Sequence, residues 1–359
     1  MSAERKTNIE LLRVISMAMV ITLHCLGHGG VLDLYSFGEA GYILFNLFRG
    51  FCFAAVNCFI LITGYFMVSA EIKISRVIKL IIQVEFYSIL CLLLTKYLFQ
   101  ESVEAKDIFK ALFPLTNKQY WFATHYVILL VLIPLINKFI RGIGKKEHLY
   151  VIRILIAMFS VLPSFLFWSR GIVGYGYDFT WFIVLYVIAA YIRKFEIRIS
   201  GKSCMTIWAA VCIVTTGGTI GMEFLLYKVF GITNEGLGQG VFFFGYNSVA
   251  FLGAAFFLFL GFVKMNLKSN MLTNISRCGR YVFGAYLLSD HDMIRRVLWE
   301  KVNFQNVEYN GVVFVAAYLT VIVLIILFMG CAVEYIRVKL YNWFIPYVRQ
   351  IFCGKTRMM

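Results

Sequence analysis

The chain has 359 residues, 61% of them hydrophobic and 17% aromatic, against 15% charged and 4 prolines. A soluble domain of this size is about half apolar and a quarter charged, so the composition excludes a soluble enzyme, a disordered chain and a disulfide-built secreted domain. The formal net charge of +15 does not imply nucleic acid, because the basic residues are dispersed among short loops. The nine cysteines form no CxxC pair and lie mostly inside apolar blocks, where they read as small apolar filler.

In windows of about 20 residues the apolar matter falls into blocks long enough to cross a bilayer. In chain order the expected spans are roughly 9–27, 43–67, 78–99, 119–140, 150–168, 179–193, 205–227, 242–263, 280–299 and 311–335. About ten spans make an all-α, polytopic integral membrane helical bundle with both ends on one side, read as a single domain over 1–359. Cytoplasmic loops carry the excess of positive charge. Of the 34 lysines and arginines, this alternation puts 23 on the N-terminal side and 8 on the other, with Arg13, Arg49 and Lys96 inside spans. Both termini are therefore expected in the cytoplasm. No small-residue cleavage pattern follows the first apolar run, so that helix is expected to remain as an anchor. The largest loops, near 100–118 and 300–310, are too small to be domains.

Charged groups in hydrocarbon cost about 2.5–3.5 kcal/mol each, which makes them default functional candidates. The first helix holds three ionisable groups, Glu10, Arg13 and His24. Glu10 and Arg13 are three apart and can pair on one face. His24 follows Arg13 by eleven residues, which is three turns plus roughly 20°, so the two share a face about 16 Å apart along the axis. Arg13 then sits near the cytoplasmic surface and His24 toward the outer one. An arginine at the inner mouth can bind phosphate, and a deeper histidine can take a proton from a hydroxyl nucleophile. Spacing alone leaves a second reading open, in which Arg13 snorkels to the interface beside Glu10 and His24 caps the outer helix end.

The opening NIELLRVISMAMVITLH resembles the first helix of the acyltransferase-3 family of integral membrane acyltransferases, whose hallmark is Arg-x10-His. Further echoes follow in order: FILITGYFM (59–67), with Thr63-Gly64 where the family usually has Ser-Gly, YWFATHYVILLVLIPLIN (120–137), WFIVLYVIAAYIRK (181–194) and FGAYLLSDHDMIRR (283–296). The resemblance implies transfer of an acyl group, most often acetyl from acetyl-CoA, to a hydroxyl of an extracytoplasmic glycan or lipid-linked sugar. It implies Arg13 as the group serving the donor, His24 as the catalytic histidine and Glu10 as the acidic residue before the arginine. Arg76 and Lys79 stand where the family has a basic motif expected to hold CoA phosphates, without the tighter Arg-x-Arg form; as ordinary loop cations they equally set orientation.

Other residues are candidates for the acceptor side. His125 lies near Trp121 and Tyr126 at the expected outer end of the fourth helix, where aromatic faces can stack on sugar rings or simply form the interfacial belt. Asp290, His291 and Asp292 fall near mid-bilayer if the ninth span is continuous, so either the helix breaks to line a cavity or the span is shorter; Asp290 and His291 are taken as substrate-side candidates. His28 follows His24 by four residues, but two imidazoles alone do not make a zinc site, and no metal is expected. Arg49, Glu85 and Glu223 are expected to pair internally as structural glue. Asn57, Thr63 and Tyr65 can serve as oxyanion donors or as helix packing.

The reading is a bacterial plasma-membrane O-acetyltransferase of a cell-envelope saccharide, with acyl-CoA, a glycan or lipid-linked saccharide acceptor and membrane lipid as its partners and no nucleic acid. The rival is a polytopic transporter or permease for a lipid-linked sugar or small metabolite. It predicts inverted repeats with broken helices at matching positions, and no convincing symmetry of that kind is visible.

Overall fold

The computed structural model describes residues 7–71, 73–165, 174–231, 244–267 and 269–354. The ends of two expected spans, at 166–168 and 242–243, lie outside the described residues, as do Arg5, Lys6, Arg170, Lys268, Lys355 and Arg357 from the charge count. Among the described residues every regular element is a helix.

In chain order the helices are α1 Thr7–Gly27, α2 Ala40–Cys52, α3 Ala55–Met67, α4 Ile74–Leu93, α5 Ala105–Leu112, α6 Trp121–Arg141, α7 Lys145–Ile156, α8 Leu162–Phe165, α9 Phe179–Lys194, α10 Gly201–Phe230, α11 Val249–Lys264, α12 Asn270–Ser276, α13 Phe283–Ser289, α14 Asp292–Val302, α15 Gln305–Glu308 and α16 Val312–Gly354. Among the described residues, seven helical segments are long and apolar enough to cross a membrane: α1, Ala40–Met67, Ile74–Leu98, α6, Lys145–Phe165, α10 and Val312–Phe344. The sixth and eighth expected spans are α9 and α11, of 16 residues each. At 1.5 Å per residue that is about 24 Å, short of a hydrocarbon core of about 30 Å. The ninth expected span is not one helix. It breaks after Ser289, and His291 turns into extended backbone and caps α14, its Nδ1 accepting the Met293 amide at 3.3 Å.

The surface is inverted relative to a water-soluble bundle. Leu135, Val214 and Phe328 are each about 70% exposed on long helices, while Asn57, Glu223, Asp290 and Glu334 are buried. Apolar matter outward and polar matter inward is the pattern a hydrocarbon solvent demands.

Helix α1 is the hub, packing against α2, α3, α11, α12, α13 and α16. Close packing elsewhere runs through small residues. A Cβ on Gly64 of α3 would meet the Tyr186 carbonyl oxygen and the Ala189 Cβ of α9 at 2.8 Å, and one on Gly330 of α16 would strike Ala285 of α13. At its C-terminal end, α1 is closed by the Gly29 amide donating to the His24 carbonyl oxygen at 3.0 Å, followed by Gly30 at φ +71°. That turn leaves His24 in the last turn of the helix, facing inward.

Candidate active site

Met17, Val20 and His24 are spaced three and four apart and form one stripe along α1. They line a narrow slot of about 40 Å³, closed on its other sides by residues that include Trp121, Phe283 and Tyr286. At its His24 end the slot meets a chamber of about 770 Å³, which His24, Trp121 and Tyr246 also line. The exposed Asp33 stands on the chamber wall just past the α1 turn. The stripe continues one turn below Met17 to Arg13, whose Nη1 lies 3.5 Å from Glu10 Oε1.

Beyond α1 and the turn that follows it, α2, α10 and the broken segment before α14 bring polar groups to the chamber. Tyr42, Asn46 and Arg49 share one face of α2, at the i, i+4, i+7 spacing. Glu223 of α10 accepts a hydrogen bond from the Tyr42 hydroxyl at 2.5 Å. The broken segment between α13 and α14 brings Asp290 to His24, with His24 Nε2 at 4.0 Å from Asp290 Oδ1. Arg295, one turn into α14, holds the same Oδ1 at 3.3 Å and Asp292 Oδ1 at 3.0 Å. The second ring nitrogen of His24, Nδ1, is buried with no hydrogen-bond partner. One nitrogen turned to a carboxylate and the other unpartnered is an arrangement a general base can use.

An aromatic wall completes the chamber. The Trp121 ring stacks on Tyr246 at 6.0 Å and 18°, and meets Tyr177 at 4.6 Å. Such faces suit a sugar ring, with carboxylates beside them to accept hydroxyl protons. His28, just beyond α1, is held below the ordinary imidazole pKa by desolvation first, then by His24 and Arg295, with Asp290 opposing. His24, His28 and Asp290 bring three ligand-type atoms within 4.8 Å of one another, a donor set able to hold a divalent ion. Arg295 already occupies that carboxylate oxygen, which weighs against such an ion.

The structure brings some expected site residues together and leaves others apart. His24, Trp121 and Asp290 share the chamber, and Arg13 with Glu10 lies on the same stripe of α1. Arg76 and Lys79 are exposed near the start of α4. His125 stacks on Phe179 at 6.4 Å, Tyr126 shares a hydrogen bond with Thr63 at 3.1 Å, and His291 contacts the Gln119 amide; none of the three lines the chamber or the slot. Asn57 accepts from Trp181 Nε1 at 3.0 Å and donates to the Tyr246 carbonyl oxygen at 2.7 Å, so its amide ties α3 to α9 and to the turn before α11. Of the residues expected to pair internally as structural glue, Glu223 does so through the Tyr42 hydroxyl, whereas Arg49 packs on aromatic rings. Arg49 and Glu223 are not within 4.0 Å of each other's charged atoms, and both face the chamber. Tyr42, Arg295 and Tyr246 went unnoticed in the sequence, and only Arg295, three residues past Asp292, carried a pairing signal.

The family model described as an acyltransferase domain matches residues 6–331. The chain belongs to the acyltransferase-3 family. No match to a curated protein or to a solved structure was found. The matched range takes in α1 with Arg13 and His24, the chamber and the broken α13–α14 segment, so the acyltransferase-3 assignment covers every residue discussed above as part of the site. It makes the protein an acyltransferase of a membrane family, in keeping with the seven long apolar helices among the described residues.

Proposed function

We propose that the protein transfers acetyl from acetyl-CoA, bound from the cytoplasm, to a hydroxyl of an extracytoplasmic or lipid-linked saccharide in the cell envelope. The carrying observation is the continuous stripe Arg13, Met17, Val20, His24, with a slot along its upper part that opens into a polar and aromatic chamber. A slot this narrow suits a thin, flexible arm such as pantetheine, and a chamber of about 770 Å³ suits a sugar. On this reading the chain crosses a bacterial plasma membrane about ten times with both termini in the cytoplasm. The short α9 and α11 and the broken α13–α14 then traverse in company with longer neighbours. Arg13, with Arg76 and Lys79 at the mouth, holds the CoA phosphates.

In the transfer step His24 takes the proton of the acceptor hydroxyl as its oxygen attacks the thioester carbonyl. The tetrahedral intermediate collapses with cleavage of the C–S bond, and the imidazolium returns the proton to the departing thiolate. Asp290 steadies the imidazolium as it forms. The Tyr286 hydroxyl is buried on the slot wall beside Asp290 and the Phe122 backbone, with neither in full hydrogen-bond geometry. It is positioned to donate to the oxyanion of that intermediate.

Mass spectrometry of envelope glycans from cells with and without the intact gene tests the reading. Loss of an acetyl mass from one glycan, restored by the wild-type gene and not by His24→Ala, is the expected outcome. Unchanged glycan acylation rejects it.

A further inference from the structure

Arg49 is a cation in the apolar helix α2 that the Glu223 carboxylate and the hydroxyls of Tyr42, Tyr177 and Tyr246 reach electrostatically but none of them holds in direct contact. Its guanidinium carbon lies 4.4 Å from the centroid of the Phe244 ring and 5.9 Å from that of Phe53. Among the described residues it makes no hydrogen bond and no ion pair within 4.0 Å. The other inward-facing arginines are engaged: Arg295 on Asp290 and Asp292, Arg337 on Glu334 at 2.7 Å, and Arg13 on Glu10. Of the chamber's three carboxylates, Glu223 is engaged by the Tyr42 hydroxyl and Asp290 by Arg295, while Asp33 is exposed at the wall and makes no ion pair with Arg49.

Ring stacking satisfies the face of a guanidinium and leaves its in-plane N–H donors untouched. Those donors lie on the wall of the chamber that His24 lines. A planar fork of N–H groups in a space of low polarity pairs best with a carboxylate or phosphate, which accepts two parallel bonds at once.

We propose that Arg49 is an anion subsite for the acceptor: the molecule acylated at His24 carries a carboxylate or phosphate that docks on this guanidinium. The proposal rests on the acyl-transfer reading for the role of the chamber, and Arg49 thereby becomes a residue that sets acceptor specificity. The aromatic wall of Trp121 and Tyr246 takes the ring of the acceptor, Arg49 fixes its charged end, and the hydroxyl to be acylated is left toward His24.

The test uses the full-length protein in lipid nanodiscs with three matched probes: D-glucose, D-glucuronate and D-glucose 6-phosphate. Affinities are measured by calorimetry, and thiol release from acetyl-CoA is followed in parallel. The wild-type protein is expected to bind one of the anionic sugars about tenfold or more tightly than glucose, the size of a charge-assisted hydrogen bond. The two anionic probes tell carboxylate from phosphate. Arg49→Gln is expected to erase the preference. Arg49→Lys keeps the charge but not the fork and retains part of it, which also serves if the glutamine variant does not fold. Equal affinity for all three sugars, or a preference that survives in Arg49→Gln, overturns the proposal. Thiol release that is equally efficient with glucose and the anionic sugars also overturns it while leaving acyl transfer standing. Selective anion binding without thiol release in the wild-type protein does the reverse.

Discussion

His24 Nε2 faces Asp290 Oδ1 across 4.0 Å, and among the described residues no other carboxylate comes as near to that ring. The pair joins the last turn of α1 to the break between α13 and α14, two segments 266 positions apart in the chain. On the proposed acyl-transfer reading, Asp290 is the group that favours the charged imidazole once it holds the acceptor's proton. Asp290→Asn is expected to lower kcat by about ten- to a hundredfold, at the modest end for a partner of a general base, with KM for acetyl-CoA unchanged. Steady-state thiol release checks this, and an unaltered kcat removes Asp290 from the mechanism.

The slot is so narrow that one enlarged side chain should close it. Val20 lies on its wall between Met17 and His24 and is 8% exposed. Val20→Phe adds bulk at a cost of about 1–3 kcal/mol in stability, and it should cut turnover of acetyl-CoA by more than about tenfold without displacing His24. Calorimetric binding of the acceptor in the chamber should persist. Normal turnover with a filled slot contradicts the donor path.

Much of this arrangement was legible in the sequence, and the reasons are particular. Helical periodicity alone puts Arg13 and His24 on one face, and the structure lines that face with a slot through Met17 and Val20. The cluster at Asp290 to Asp292 signalled that the ninth span could not be a plain helix in hydrocarbon, and it breaks there. What escaped was the partner across space. Tyr42, Asn46, Arg49 and Glu223 reach the chamber because α10 packs on α2, a contact between segments some 180 residues apart that no local pattern encodes. For the same reason His125, Tyr126 and His291 looked equivalent to Trp121 in the sequence. The structure turns them into Phe179, Thr63 and Gln119 instead.

At the other end of the stripe, Arg13 and Glu10 should separate by charge. On the acyl-CoA reading, Arg13→Gln removes the cation proposed to meet the donor and is expected to raise KM for acetyl-CoA by about tenfold, the size of one lost charged hydrogen bond. Glu10→Gln weakens only the 3.5 Å contact that orients the guanidinium, so its effect on KM should be smaller. Titration with acetyl-CoA at saturating acceptor measures both, and equal effects of the two substitutions contradict the division of roles.

Packing of the bundle gives a prediction independent of chemistry. A side chain on Gly330 strikes Ala285, whereas a Cβ on Gly253 of α11 meets no atom within 4 Å. Gly330→Val is expected to destabilise the protein by about 3 kcal/mol or more through overpacking. Gly253→Ala should be neutral or stabilising by up to about 1 kcal/mol from helix propensity. Thermal unfolding in detergent ranks the two, and similar unfolding temperatures contradict the close α13–α16 contact.

The central claim is that the imidazole of His24 is the base in acyl transfer from CoA. It is tested most directly by following thiol release from acetyl-CoA in nanodiscs with purified wild-type protein and His24→Ala, each checked for the same unfolding temperature. The account predicts acceptor-dependent release by the wild-type protein and a loss of at least about a hundredfold in the variant. A folded His24→Ala protein that releases thiol at the wild-type rate contradicts it.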